Sequence, residues 1–338
     1  MTAVPRRDLP FTSVLITGAD GFVGRTLIPD LAAQLPPTAR LTLCGRHATG
    51  AEDARVRRVP LDLTLGRQVA QLVADVRPDL VVHLAAMSSV AQSGAAAGAA
   101  WRVNLAGSLS LAEAIVAASD EVTVLFASSA EVYGATFADG IAREDSPLRP
   151  GSPYARSKAA TEAMLADVLR PTDRLIVARP SNHTGSGQDS RFVLPSFAEQ
   201  IARIEAGLQP PRLRVGDLSA ERDFMDVRDV SDAYCALLGA AADLPRRIIF
   251  NIASGRTVAI GELLDKLVAR SSSSIVVESD PDRFRPSEIK RAALDSSRLR
   301  QTVGWRPSRP LDDTLDAVLA AQRRRVGEAG PVVGSAQA

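Results

Sequence analysis

The stretch Ser13-Val14-Leu15-Ile16-Thr17-Gly18-Ala19-Asp20-Gly21-Phe22-Val23-Gly24 decides how this chain folds. Its first five residues are a short apolar run of the kind that forms a parallel strand buried on both faces. Leu27, Ile28 and Leu31 follow at helical spacing, so a strand, a glycine turn and a helix succeed one another. That order makes a cradle for a nucleotide pyrophosphate. Glycines let backbone N–H groups come close, and the helix N-terminus behind them favours negative charge. The spacing is Gly-x-x-Gly-x-x-Gly, which departs from the simplest dinucleotide fingerprint, Gly-x-Gly-x-x-Gly.

Working outward, apolar strands and helical patterns keep alternating. Arg40 to Cys44 reads as a second strand and ends in Gly45-Arg46. An acid at this place would bond an adenosine ribose 2′-hydroxyl, whereas an arginine suits a 2′-phosphate, so Arg46 points to NADP(H) in preference to NAD(H). Val56–Val59 is a third strand, followed by a turn through Asp62 and a helix near 65–76. Leu80 to Ala86 is a fourth; His83 within it reads as a satisfied core residue, and Ala85-Ala86 are small enough to let a cofactor come close. The Ala/Gly-rich piece 91–100 is expected to break regularity before a long helix, about 101–118, that carries Asn104. Val122–Phe126 is the fifth strand. It ends in Ser128-Ser129-Ala130-Glu131, at the edge where a doubly wound sheet meets its ligands.

Ser152-Pro153-Tyr154-Ala155-Arg156-Ser157-Lys158 opens the next helix, with Ser152 as N-cap and Pro153 at the first helical position. Tyr154 and Lys158, four residues apart, share a helix face. An ammonium beside a phenol favours the phenolate and would lower its pKa from about 10. A tyrosine so tuned can exchange a proton with a carbonyl or alcohol oxygen, and a serine hydroxyl at Ser129 would bond the same oxygen. Leu175–Ala178 is a sixth strand, and 179–185 leaves it as a loop. Beyond it the periodicity loosens. Helices near 193–206, 229–242 and 259–270 and strands at 212–215, 247–252 and 275–278 describe a smaller mixed lobe.

The fold class is therefore α/β: a doubly wound parallel sheet over 12–180 and a smaller α/β substrate lobe over 181–325, with flexible tails at 1–11 and 326–338. The chain has 338 residues, 46% hydrophobic and 23% charged, and a net charge of +1. That balance gives no reason to expect nucleic acid or an anionic membrane as partner. No apolar run approaches membrane-spanning length and no signal-peptide core appears, so a cytoplasmic location is expected. Cys44 and Cys235 each sit among apolar neighbours and read as small buried residues, and no metal site is expected.

Gly18-x-x-Gly21-x-x-Gly24, Ser129 and Tyr154-x-x-x-Lys158 together resemble the extended short-chain dehydrogenase/reductases, the nucleotide-sugar epimerase/dehydratase group, over roughly residues 12–325. Arg179 to Gln188, Gly216 to Asp229 and Phe284 to Ile289 are similar to its GDP-6-deoxymannose reductases, which reduce GDP-4-keto-6-deoxymannose with NAD(P)H. The GDP-mannose 4,6-dehydratases share several of these segments. The resemblance implies Ser129, Tyr154 and Lys158 as the catalytic set. It implies Gly18, Gly21, Phe22, Val23 and Gly24 at the pyrophosphate, Asp62 and Leu63 at the adenine, and Leu84, Ala85, Ala86, Asn104 and Pro180 along the rest of the dinucleotide. Lys158 would also hold the nicotinamide ribose. For a GDP-sugar it implies Glu131, Asn182, Arg222, Arg285 and Glu288, and it implies a homodimer built on the helices near 101–118 and 154–169. A surface ion-pair reading of Arg222, Asp223 and Arg285 stays open. Two features qualify the match. Glu131 alone remains of the Asp-Glu pair that glucose-type dehydratases use, which keeps dehydration open, and Ser181 stands where such a reductase carries Phe. A non-catalytic dinucleotide sensor is the remaining alternative.

Overall fold

The computed structural model describes residues 8–47, 50–88, 90–281, 283 and 289–329. Strands β1 (Ser13–Thr17), β2 (Arg40–Gly45), β3 (Val56–Pro60), β4 (Leu80–His83), β5 (Thr123–Ala127) and β6 (Arg174–Pro180) alternate with helices α1 (Phe22–Ala32), α2 (Gly66–Val76), α3 (Val90–Ala95), α4 (Ala97–Trp101), α5 (Gly107–Ala118) and α6 (Pro153–Val168). The second half adds strands β7 (Asn182–Thr184), β8 (Arg212–Val215), β9 (Glu221–Asp226), β10 (Arg247–Ile252), β11 (Thr257–Ala259), β12 (Val276–Ser279) and β13 (Arg291–Ala292). Its helices are α7 (Val193–Glu205), α8 (Val227–Gly239), α9 (Ile260–Val268), α10 (Ser297–Val303) and α11 (Leu311–Ala329).

The expected doubly wound sheet is present, with seven strands in the order β10-β6-β5-β4-β1-β2-β3 and every neighbouring pair parallel. β1 shows why its residues are apolar throughout. Val14 and Ile16 pack on one face with Leu27 and Leu31 of α1, and Leu15 packs on the other with Val69 and Leu72 of α2. Side chains alternate across a strand, so a strand covered on both faces needs a continuous apolar run. The chain order reverses direction across the sheet between β1 and β4, which opens a crevice at their carboxyl ends. α6 begins as its sequence dictates, with Ser152 Oγ accepting from Ala155 N at 3.1 Å and Pro153 in the first turn. The smaller lobe has a core of its own, from Phe197 and Ile201 of α7, Leu263 and Leu267 of α9, and Leu315 and Leu319 of α11. Among the described residues no helix is long and apolar enough to cross a membrane.

Four sequence expectations need correction. The sheet does not end at residue 180: β10 is its edge strand, registering Ile248 against Ile176, and α8 packs on the α1 face through Tyr234 and Leu237. Burial of β6 requires that cover, so the two lobes are interleaved in sequence. Leu9 and Phe11 belong to the core rather than to a loose tail, and α11 runs on to Ala329 with Val326 buried; residues 1–7 and 330–338 lie outside the described set. The piece 91–100 is largely helical, as its alanines favour, and passes through a π-helical turn at Arg102–Ala106 into α5. The segment 179–185 carries β7, which pairs in parallel with β9. Cys44 and Cys235 form no disulfide and are both buried, as expected.

His83 is the satisfied core residue that its setting in β4 suggests. Ser108 Oγ donates to Asn104 O at 2.5 Å, so it accepts from His83 Nε2 at 2.7 Å. His83 Nδ1 then accepts from Thr17 Oγ1 at 2.6 Å, and Thr17 Oγ1 in turn accepts from Ala85 N at 3.3 Å. Every donor in this chain has one acceptor, and a second proton on the ring would have nowhere to point. Burial, with the charge of Lys158, holds the imidazole down to about 3 from an ordinary 6.5. The native value lies below the unfolded one, so this contribution is whole above pH 6.5 and is lost as pH falls toward 3. In urea titrations from about pH 7 to about pH 4.5, His83→Leu should cost about 1–3 kcal/mol at neutrality and remove one proton's worth of the pH slope. An unchanged slope would mean that the ring titrates normally.

Candidate active site

The crevice at the carboxyl ends of β1 and β4 is shaped by what the glycine turn lacks. Gly18 has φ +72°, and a Cβ there would lie 2.7 Å from Ala85 N and 2.9 Å from the Leu84 carbonyl carbon. At Gly24 a Cβ would meet the carbonyl oxygens of Gly18 and Ala19 at 2.6 Å. Turn, helix start and β4 end therefore close on one another with no room for side chains, and Leu84 N bonds Thr17 O at 3.1 Å. The backbone of Ala85 and Ala86 borders this crevice, while Phe22 and Val23 are half-buried beside it. Gly21 completes the turn through a 2.9 Å bond to Gly18 O. Exposed Asp62 is held below the usual carboxylate range by hydrogen bonds from Thr64, with a smaller contribution from the charge of Arg46. Leu63 is buried beneath Gly107. Asn104 lies a layer behind the crevice, its amide bonded to Met87 N at 2.7 Å and Ser157 Oγ at 2.9 Å, so it ties the loop after β4 to α6.

Along the same edge the structure brings together Ser129, Tyr154, Lys158, Glu131 and Arg222. Ser129 caps the short turn Ala130–Val132 after β5, accepting from Glu131 N at 3.2 Å. Its hydroxyl neighbours that of Tyr154 and favours the ionised phenol. Lys158, one turn further along α6, is buried; Nζ donates to Ala127 O at 2.6 Å and stands 4.5 Å from the centre of the Phe126 ring. The electrostatics correct the expectation of a lowered phenol. Burial pushes the Tyr154 hydroxyl up to about 12, opposed by Ser129 and reinforced by Glu131. Burial brings Lys158 down to about 7, opposed by Glu162. Glu131 is raised by burial and opposed by Arg222, whose guanidinium faces both Glu131 and Asp217. Pro180 ends β6 in the buried register opposite Ile252. Asn182, exposed in β7, pairs with Phe224, two residues along β9 from Arg222. Arg285 and Glu288 lie outside the described residues.

Several residues that shape this edge were missed as site residues in the sequence. His183 stacks flat on Phe22 of the glycine turn, with centroids 6.2 Å apart, and its Nδ1 donates to Ser181 O at 3.0 Å. Buried Asp223 accepts from Ser181 Oγ at 3.1 Å, Ser254 Oγ at 2.8 Å and Gly255 N at 2.7 Å, which sets the β9 backbone that carries Arg222 and gives Ser181 its place. Beneath the hydroxyl pair lies a buried ion pair. Arg179 meets Glu162 through Nη2–Oε2 at 2.5 Å and Nε–Oε1 at 3.0 Å, and Ser128 Oγ donates to the same carboxylate. Arg179 also bonds Tyr133 Oη at 2.8 Å, Tyr133 bonds Asn251 Oδ1 at 2.7 Å, and Asn251 N bonds Glu144 at 3.0 Å. The one sequence signal for Glu162 is its place four residues from Lys158 on α6; nothing local marks its partner in a distant strand.

A family model described as GDP-mannose 4,6 dehydratase matches residues 15–318. The chain is similar to the GDP-6-deoxy-D-mannose reductase of Pseudomonas aeruginosa, at 36% identity over 93% of this chain and 98% of that one. It is similar to the UDP-glucose 4-epimerase of Mycolicibacterium smegmatis at 31% identity over 87% and 93%. Among solved structures it resembles RMD from Pseudomonas aeruginosa complexed with NADPH, with a TM-score of 0.77, 34% identity, and coverage of 92% and 99%. It also resembles the Thermus thermophilus UDP-glucose 4-epimerase complex with NAD, with a TM-score of 0.78, 29% identity, and coverage of 92% and 98%.

The buried pair can be tested directly. Glu162→Gln leaves a guanidinium without its counter-charge and should lower the unfolding free energy in urea by about 3–5 kcal/mol. Adding Arg179→Met to that variant should restore much of the loss. Equal, additive losses from the two substitutions would show that the pair is not coupled.

Proposed function

This chain belongs to the GDP-mannose 4,6-dehydratase family of nucleotide-sugar enzymes, and from that premise we propose that it is an NAD(P)H-dependent reductase of a GDP-4-keto-6-deoxyhexose. The observation that carries the reading is the pair of neighbouring hydroxyls, Ser129 and Tyr154, set at the edge of a crevice shaped for a dinucleotide. The glycine turn fits that group, since its backbone leaves no room for side chains where the pyrophosphate would lie. Gly18, Gly21, Phe22, Val23 and Gly24 would hold the pyrophosphate, Asp62 and Leu63 the adenine, and Leu84, Ala85, Ala86, Lys158 and Pro180 the nicotinamide end. When bound, the reduced coenzyme supplies a hydride to C4 of the sugar.

The residues supply the proton. A phenol raised to about 12 stays protonated at neutral pH, which suits a donor to an oxygen that gains negative charge. Tyr154 gives its proton to the C4 oxygen, and Ser129 holds that oxygen by a hydrogen bond. The Lys158 ammonium, on the same face of α6, stabilises the phenolate left behind. Arg222 and Asn182 face the sugar nucleotide from the smaller lobe, where a planar guanidinium fits a diphosphate. Arg285 and Glu288 are the further residues that our reading assigns to the GDP-sugar. Arg46, exposed after β2, supports NADP(H) over NAD(H). The helices α5 and α6 would form a homodimer, and the buried cysteines, which form no disulfide, agree with a cytoplasmic setting.

A second reading rests on Glu131. Its carboxyl, raised by burial beside Tyr154, could remove a proton from C5 as a dehydratase requires. One assay separates the two. With the 4-keto sugar and NADPH, a reductase consumes coenzyme in step with substrate; turnover of GDP-mannose with no net coenzyme loss would overturn reduction in favour of dehydration. Tyr154→Phe should lower kcat about a thousandfold with coenzyme affinity nearly intact. Glu131→Gln should matter little to a reductase and abolish a dehydratase. Coenzyme binding without turnover of any sugar nucleotide would leave a sensor.

A further inference from the structure

Gly45 closes β2 in an unusual way. It is buried, it registers with Pro60 of β3, and its carbonyl accepts from Leu61 N at 3.0 Å. A Cβ added to it would collide with Asp20 Oδ2 and lie 2.5 Å from Asp20 Cγ. The space that a side chain at the end of this strand would fill is thus taken by a carboxylate from another part of the chain, the glycine turn. The turn is fastened there by a 2.9 Å bond from Ala19 N to Cys44 O.

The end of the second strand is where a doubly wound sheet reads the adenosine ribose of a dinucleotide. A carboxylate accepts from the free 2′-hydroxyl, and a cation receives a 2′-phosphate. β2 itself offers no acid, because Gly45 is followed by Arg46. We propose that Asp20 is the acid of this subsite, delivered from the glycine turn, and that it sets coenzyme selectivity against Arg46 by favouring the 2′-hydroxyl of NAD(H) and opposing the 2′-phosphate of NADP(H). The inference rests on the dinucleotide reading of the crevice but not on the sugar or the reaction. The carboxylate and the guanidinium act on one group with opposite sign, so the chain takes both coenzymes, and removal of either residue sharpens its selectivity in opposite directions.

The test is the ratio of dissociation constants for NADPH and NADH, measured by calorimetry on the full chain. A like charge next to a phosphate weakens binding by about tenfold or more in a partly dry site. Asp20→Asn should therefore shift the ratio about tenfold toward NADPH, and Arg46→Ala should shift it by a similar factor toward NADH. Gly45→Ala, which displaces the carboxylate without removing it, should act in the same direction as Asp20→Asn. The ratio cancels any general damage to the turn. An Asp20→Asn protein in which both affinities change equally, or neither changes, overturns the proposal. If neither coenzyme binds the parent protein, the dinucleotide reading falls with it. Intact, selective binding without turnover of the keto sugar would instead remove only the proposed reaction.

Discussion

Arg179 and Glu162, a guanidinium and a carboxylate shut away from water, set the terms for the edge of the sheet that carries the chemistry. Two buried charges cost several kcal/mol each to desolvate, and they are tolerated only where nearly every donor and acceptor finds a partner. Here Arg179 comes from the end of β6, Glu162 from the middle of α6 and Ser128 from the end of β5, while Tyr133 and Asn251 extend the network to the segment after β5 and to β10. Satisfying the pair therefore places three strand ends and one helix at once. Ser129 follows Ser128 in the chain and Lys158 lies one turn from Glu162, so the groups that face the crevice inherit their positions from this buried layer. A network of this kind is either wholly satisfied or costly, which makes it intolerant of small displacements.

Burial also gives the crevice and the core layer behind it a common electrostatic character. It lowers His83 and Lys158 and raises Tyr154 and Glu131, and in each case the neutral form gains. A phenol kept protonated is ready to donate, and a lysine near neutrality can take up charge when an anionic neighbour forms. The sequence reading treated Tyr154 and Lys158 as a pair in isolation and expected the lysine to dominate. In the folded chain the Tyr154 hydroxyl answers first to burial, with Ser129 and Glu131 as the smaller influences.

What could be read from the chain and what could not divide along a physical line. β1, the glycine turn and α1 were legible because apolar runs and helical spacing report local burial. The N-cap at Ser152 and the shared face of Tyr154 and Lys158 were legible for the same reason, since both lie within one helix. β9 was missed because Glu221, Arg222, Asp223 and Asp226 break any apolar pattern, and its hydrogen bonding depends on β7, β11 and β13, which are distant in sequence. The helices at 90–101 hide in alanine and glycine, which carry little periodic signal. The bond between Arg179 and Glu162, and the seat of Asp20 over Gly45, are tertiary facts with no local signature. Arg222 and Glu131 could be named from resemblance, but only folding shows that they face each other.

The edge strand β10 has a consequence for how the molecule is made. The chain leaves the sheet at Pro180, builds helices and strands of the second lobe, and returns at Arg247 to cover β6. Until then Leu175, Ile176 and Val177, all nearly fully buried in the finished protein, lie on a strand with an open hydrogen-bonding edge. At roughly 5–20 residues per second of synthesis, a nascent chain carries that edge for several seconds. Flat apolar edges of this kind recruit other chains. The period of greatest aggregation hazard for this protein thus falls on the ribosome, after the nucleotide-binding half is made and before its last strand emerges, and a fragment ending near residue 180 would keep that hazard permanently.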